Sequence, residues 1–243
     1  MIPGRRIAIV PARNEERAVG GVVAEIRAFD PELDVVVLDD GSTDRTAEVA
    51  SAAGAYVVRL PFNIGIGAAV QTGFKFALEH GYELAVRLDG DGQHDPQELP
   101  SLLELIHRDE ADVVVGSRFI DGRKGHSGPR TRRIGIVFFA GLVSALTRQR
   151  VTDTTSGFQA LNRRGIAVFA ADYPHDYPEV EATVMVHKHR LRLAEVPVKM
   201  RERAHGESSI TTLRSIYYMF KVTLALLVGM LRTDVLPMEE TRQ

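Results

Sequence analysis

The stretch VRLDGDGQHDP, residues 86–96, sets Asp89, Asp91, Gln93 and Asp95 at alternate positions directly behind a short apolar run. Like charges this close repel, so the run is either a solvated acidic loop or a site where a cation cancels the repulsion. The oxygen side chains of Asp89, Asp91 and Gln93, with Gly90 and Gly92 allowing a tight backbone, can converge on a divalent ion that takes hard oxygen ligands. So few ligands, with positions left for phosphate oxygens and water, suit Mg²⁺ or Mn²⁺ better than Ca²⁺. Asp95 reads as the cap of the next helix, and His94 as either a ligand or a surface residue. The chain has no cysteine, so disulfides and thiolate metal sites are excluded. Any metal here is held by oxygen or imidazole.

Other polar clusters offer complementary chemistry. In VVVLDDGSTDRTAE, Ser42 and Asp44 suit a capped turn, but the consecutive Asp39 and Asp40 exceed what a turn needs. One of them can accept hydrogen bonds from a base imide or a ribose hydroxyl. Arg118 through Arg133 holds six Lys or Arg against one Asp, either a solvated basic face or a clamp on phosphate oxygens. Arg201, Arg203 and His205 in MRERAHGESSI offer the same two readings. Glu179 and Glu181 flank Val180 at a helix start, where the helix dipole favours acids and where a general base is the alternative. NIGIGAAVQTG, residues 63–73, is a weak phosphate motif because it lacks the third glycine of a dinucleotide fingerprint.

The elements that must position these groups follow from periodicity. Apolar, β-branched runs at 7–10, 35–38, 56–60, 84–88 and 112–116 predict buried strands of a largely parallel sheet. Helices are expected at 15–29, 44–53, 66–79 and 96–107, the last with Asp95 as N-cap, Pro96 at its first position and Glu98 closing a capping box. Strict alternation of this kind predicts an open, doubly wound α/β sheet, in which ligands gather beyond the carboxyl ends of the strands. The residues just past those ends are PARNEE, DDGSTD, DGDGQHD and GSRF, a polar and mainly acidic rim that suggests one shared site. Beyond residue 120 come a basic, Gly-rich loop at 121–133, an apolar helix at 134–147, a turn-rich segment at 151–162 and a further helix led by YPEVEATVMVHKH. The run at 191–200 reads as a strand which Pro197 places near an edge.

With these motifs in this order, the chain resembles a family 2 glycosyltransferase of the GT-A fold, close to the dolichyl- and polyprenyl-phosphate sugar synthase branch. The resemblance runs from about residue 7 to 212, through PARNEE, LDDGSTDRT, DGDGQHDP, VVGSRF, DTTSGFQALN and EVPVKMRERAHGESSI. It implies a GT-A type, mostly parallel, Rossmann-like sheet flanked by helices, and inverting transfer of a sugar from a nucleoside-diphosphate sugar to a lipid-linked acceptor. It also implies that Pro11, Ala12, Arg13 and Glu15 line the nucleotide-sugar pocket with Asp39, Asp40, Asp89, Gly90 and Asp91, and that Asp89, Asp91 and Gln93 serve Mg²⁺ or Mn²⁺. Arg118, Arg132, Arg133, Arg201 and Arg203 would reach the diphosphate or the acceptor. The family's catalytic acidic pair falls on Glu179 and Glu181, with Glu181 the expected base and Asp153 the second candidate. The last block ends Ser208-Ser209 where the branch commonly has Ser-Lys. The acceptor therefore stays open between polyprenyl phosphate and a sugar carried on a polyprenyl lipid.

Bulk properties bound the partners. A formal charge of −2 excludes a polyelectrolyte binder of nucleic acid. The N-terminal apolar run is too short for a signal-peptide core, which predicts a cytoplasmic protein, peripheral at the inner face of the membrane if it docks there. Residues 1–212 are expected to form the catalytic domain and 213–243 an apolar, amphipathic helix with a polar tail. Lys221 interrupts that helix, so it suits the membrane surface or a homo-oligomer contact better than a span, which needs roughly 20 largely apolar residues. Two rival readings are a sugar-phosphate nucleotidyltransferase, whose first loop usually carries glycines that PARNEE lacks, and a non-catalytic sugar-nucleotide binder.

Overall fold

The computed structural model describes residues 4–120, 130–175, 177–201 and 221–224, with backbone alone for 130–134. Seven strands, β1 (Arg6–Ala12), β2 (Leu33–Asp39), β3 (Tyr56–Arg59), β4 (Leu84–Arg87), β5 (Val113–Ser117), β6 (Gln159–Asn162) and β7 (Leu193–Pro197), form one sheet in the order β3-β2-β1-β4-β6-β5-β7. Pairing is parallel except at β6, which runs antiparallel to both β4 and β5. The five predicted strands and the edge position of β7 are all present. The segment 151–162, read as turn-rich with no strand predicted, ends in β6 inside the sheet. Its four residues carry no β-branched side chain, and their placement depends on long-range pairing (Arg87 with Gln159, Val115 with Gln159) that no local pattern encodes.

Alternation along β1 sends Ala8, Val10 and Ala12 to one face and Ile7 and Ile9 to the other, and each face is covered by helices. The first layer holds α1 (Val19–Phe29), α2 (Thr46–Ala52) and α4 (Leu99–His107), which bury Val22, Val23 and Ile26, Ala50, and Leu102 and Ile106 respectively. The second holds α3 (Ile66–Glu79), α6 (Arg163–Ala171) and α7 (Pro178–Lys188), packed through Val70, Phe74, Phe169 and Met185. Each fully buried Phe or Leu in these layers contributes roughly 1.5–3 kcal/mol.

α1 begins at Val19, four residues later than its pattern suggested, because the chain after β1 first makes a loop that is tied to the next βα turn. Asp95 does cap its helix, accepting from Gln97 N at 3.0 Å, but the first turn, Pro96–Glu98, is 3₁₀ and precedes α4. A smaller cluster joins α5 (Arg130–Thr147), through Phe139 and Val143, to Val180 and Val184 of α7 and to Val222. Of the expected C-terminal unit, only Lys221–Leu224 falls within the described residues, and its Val222 is buried in this cluster.

Candidate active site

In-register pairing sets Ala12 beside Asp39 and Ile9 beside Arg87, so the loops following β1, β2 and β4 open along one edge of the sheet. Because β6 is antiparallel, it starts at that same edge and delivers the segment Asp153–Phe158 to it. The first two loops are stitched together. Asn14 accepts from Thr43 N at 2.9 Å, Ser42 Oγ accepts from Asn14 N at 2.9 Å, and Thr46 Oγ1 accepts from Glu15 N at 2.8 Å. Asn14 holds the left-handed backbone (φ 55°) that aims these bonds.

Two cavities open on this edge and share Arg13 and Asn63 on their walls. The first, about 510 Å³, is lined by Pro11, Ala12, Glu15, Asp40, Asp89 and Asp91, together with Gly90, Arg87 and Glu179. The second, about 590 Å³, is lined by Asp39, Ser42, Arg59 and Phe62. Asp39 is buried, accepts from Ser42 N at 3.0 Å and lies 3.5 Å from Arg59 Nε, so an acceptor and a donor face the same space. Asp40 instead receives the backbone amides of Ile64 (2.7 Å) and Gly65 (3.1 Å), fixing the approach to α3. The two acids thus divide the tasks that the sequence left joined.

In DGDGQ, Asp89 and Asp91 lie on the wall of the first cavity, whereas Gln93 does not; Asp91 accepts from Gln93 N at 3.0 Å. Gly90 passes so close to β1 that a Cβ would lie 3.0 Å from that of Ala12 and 3.1 Å from the Pro11 carbonyl. His94 Nδ1 accepts from Asp89 N at 3.0 Å, and the ring stacks on Phe158 at 4.9 Å. Burial pushes the His94 pKa down against the pull of Asp89 and Asp91, which keeps the ring neutral and gives it a structural place under the loop. Among the described residues no group of three or more His, Cys, Asp or Glu could hold a metal unaided. Two hard carboxylates on one wall, with remaining positions left for phosphate and water, fit Mg²⁺ or Mn²⁺.

Sequence reasoning treated Arg87 only as part of a strand. It is 1% exposed at the floor of the first cavity, where Nη2 donates to Glu179 Oε1 at 2.8 Å and lies 3.5 Å from Asp89 Oδ1, and Nη1 donates to Tyr173 OH at 3.1 Å. Its Nε has no partner among the described residues. Burial alone would push the guanidinium pKa down; Tyr173, Asp89 and Glu179 reverse this and raise it, so Arg87 is a fixed positive charge. The available signal was a lone arginine within the apolar run LAVRL, directly before the acids, because a buried charge requires a partner.

The remaining candidates are distributed unevenly. Glu179 lines the first cavity and the expected base Glu181 does not; α7 turns Glu181 to a half-buried position one residue beyond Val180. Asp153 is buried in a bidentate pair with Arg118 (2.7 and 2.8 Å) and also accepts from Thr155 Oγ1 at 3.1 Å. This engagement occupies both Asp153 oxygens, and neither Asp153 nor Arg118 lines either cavity. Arg201 pairs with Glu25 (2.6 Å) and Asp95 (3.0 Å), away from both cavities, and its N–H donates to Gln93 O at 2.9 Å, holding the loop from outside. The side chains of Arg132 and Arg133, and all of Arg203, lie outside the described residues.

A family model described as glycosyl transferase family 2 matches residues 7–169. The chain is 32% identical over 217 residues to an undecaprenyl-phosphate mannosyltransferase of Micrococcus luteus, covering 85% of this chain and 88% of that one. It is 36% identical over 205 residues to a dolichyl-phosphate hexose transferase of Haloferax volcanii, covering 81% and 82%. Its fold matches glucosyl-3-phosphoglycerate synthase of Mycobacterium tuberculosis, solved with Mn²⁺, UDP-glucose and phosphoglyceric acid, at a TM-score of 0.70 and 23% identity over 93% of this chain and 79% of that one. With the motif order, the GT-A architecture and the match across residues 7–169 in agreement, the chain belongs to glycosyltransferase family 2.

Proposed function

We propose that this protein transfers a sugar from a nucleoside-diphosphate sugar to the phosphate of a polyprenyl or dolichyl lipid, with inversion at the anomeric carbon. The observation that carries the reading is the pair of cavities joined through Arg13 and Asn63, one presenting Asp39 with Arg59 and the other Asp89 with Asp91. A nucleoside-diphosphate sugar has matching parts: a base with imide and carbonyl groups, a diphosphate, and a sugar beyond it. Asp39 would accept from the base, Arg59 would donate to it, and Pro11 to Glu15 would line the nucleotide. Mg²⁺ or Mn²⁺ held by Asp89 and Asp91 would neutralise charge on the departing diphosphate. Arg132, Arg133 and Arg203 remain candidates for the phosphates.

The acceptor oxygen attacks the anomeric carbon from the face opposite the diphosphate, and the bond to the diphosphate breaks with its electron pair. The carboxylate best placed to assist, Glu179, is tied to Arg87 at 2.8 Å. A phosphate monoester is already ionised at neutral pH and needs no base, unlike a sugar hydroxyl. The activities for which the Micrococcus and Haloferax relatives are named, both on lipid phosphates, support the same choice. The Mn²⁺ in the Mycobacterium complex supports a divalent ion. Among the described residues no helix is long and apolar enough to cross a membrane. The exposed Val137 and Phe138 on α5 offer a surface contact through which a lipid could be reached.

The test is incubation with labelled UDP- or GDP-sugars, Mn²⁺ and polyprenyl phosphate in detergent. One donor should yield an organic-extractable sugar lipid, and its anomeric configuration reports inversion or retention. Transfer only to a sugar hydroxyl would overturn the lipid-phosphate reading. Diphosphate release from a nucleoside triphosphate and a sugar phosphate would identify a nucleotidyltransferase instead.

A further inference from the structure

We propose that Glu179 is a positioning residue for the cation site: as the counter-ion of buried Arg87, it holds the guanidinium back from Asp89 and so sets how readily that carboxylate takes a cation. The inference rests on the proposed use of Asp89 and Asp91 for a divalent ion. It gives the acidic residue on the cavity wall a task other than proton removal.

One nitrogen of Arg87, Nη2, faces both acids, at 2.8 Å from Glu179 and 3.5 Å from Asp89. The charge is 1% exposed, so water cannot screen it, and its demand for a partner must be met by these groups. Space enforces the arrangement. A Cβ on Gly157 would sit 2.9 Å from Arg87 Nη2 and 3.1 Å from Asp89 Oδ1, so the backbone of the segment before β6 closes the other side. Tyr173 OH anchors Nη1 at 3.1 Å. The guanidinium can shift its bonding between the two carboxylates but has little room to withdraw from both.

Electrostatics then fixes the sign. With Glu179 ionised, Arg87 is neutralised by α7 and Asp89 keeps its charge for a cation. Removing that charge leaves Arg87 uncompensated and turns it onto Asp89, where it competes with the cation through a short, poorly screened distance. Removing Arg87 as well abolishes the competition, so the two substitutions must be strongly non-additive.

The experiment is Mn²⁺ binding to the full chain without donor, read from the free-ion electron paramagnetic resonance signal. It compares wild type with Glu179→Gln, Glu179→Asp, Arg87→Met and the double variant Arg87→Met/Glu179→Gln, with Asp91→Ala as the control. Glu179→Gln is expected to weaken binding about tenfold, the low end of what groups supporting a metal site contribute. Glu179→Asp, which keeps the charge, should stay within about threefold of wild type. The double variant should recover most of the loss. Glu179 is half-buried, so its substitutions test the idea even if Arg87→Met does not fold. Unchanged Mn²⁺ affinity in Glu179→Gln, with kcat lowered at saturating Mn²⁺ and the acidic limb of its pH profile lost, would make Glu179 a base and overturn the proposal. Equal losses in the single and double variants would also overturn it. Wild type and Asp91→Ala binding Mn²⁺ alike would instead remove the cation reading on which the inference stands.

Discussion

The partners of each carboxylate shape what it can do around this site. Asp40 is held by two backbone amides and Asp153 by the fork of Arg118, while Asp89 and Asp91 lie two residues apart on the wall of the first cavity. Asp91→Ala should therefore abolish Mn²⁺-dependent thermal stabilisation by the preferred nucleotide sugar while changing the melting temperature of the unliganded protein little. A retained shift would move the cation away from DGDGQ. Asp153→Asn should act in the opposite way, lowering stability by about 3 kcal/mol in urea unfolding, because Arg118 is left buried with half its pair removed. If Asp153 is instead the base, stability should hold while turnover falls. The acids themselves were legible in the sequence because oxygen side chains at alternate positions are a local pattern. Their division of labour was not, since the partners lie far along the chain: Asp40 with Ile64, Arg87 with Glu179, Asp153 with Arg118.

At the level of elements, the site depends on how the half of the sheet beyond β4 is closed. Asp112, just before β5, accepts from Arg192 N at 2.8 Å and from Asn162 Nδ2 at 2.9 Å, so one buried carboxylate joins the starts of β5 and β7 to the end of β6. Burial would raise its pKa, but the bonds from Arg192 and Asn162 outweigh this and lower it below 3.8. For an acid with a depressed folded pKa, the stabilisation is present above the unfolded value and is lost as pH falls through the folded one. Asp112→Asn should cost about 2 kcal/mol at pH 7, and the gap from wild type should close progressively below about pH 4, measured by denaturant unfolding across pH. A gap independent of pH would mean that packing, not charge, holds this corner. Strands β1, β2, β4 and β5 were readable because apolar, β-branched runs are sufficient to mark a strand buried on both faces. β6 and α6 were not, since Gln159-Ala160-Leu161-Asn162 becomes a strand only through its neighbours on both sides.

For the molecule as a whole, the proposed function asks how the edge that carries the cavities would meet a lipid. α5 packs Phe139 and Val143 inward, yet leaves Val137 and Phe138 exposed by 64% and 44%, with Gly141 and Ala145 exposed on the turns that follow. Its inner face meets α7, which carries Glu179 of the first cavity. Val222, within the expected C-terminal helix, is packed into the same cluster. Burying one Val and one Phe contributes roughly 1.5–3 kcal/mol each, so Val137→Asp/Phe138→Asp should reduce recovery of the protein with floated vesicles by tenfold or more. Its activity on a short-chain acceptor in detergent should persist, because neither residue lines a described cavity. Flotation equal to wild type, with a smaller sedimenting species in solution, would assign this face to a subunit contact and require the lipid phosphate to be delivered by another surface.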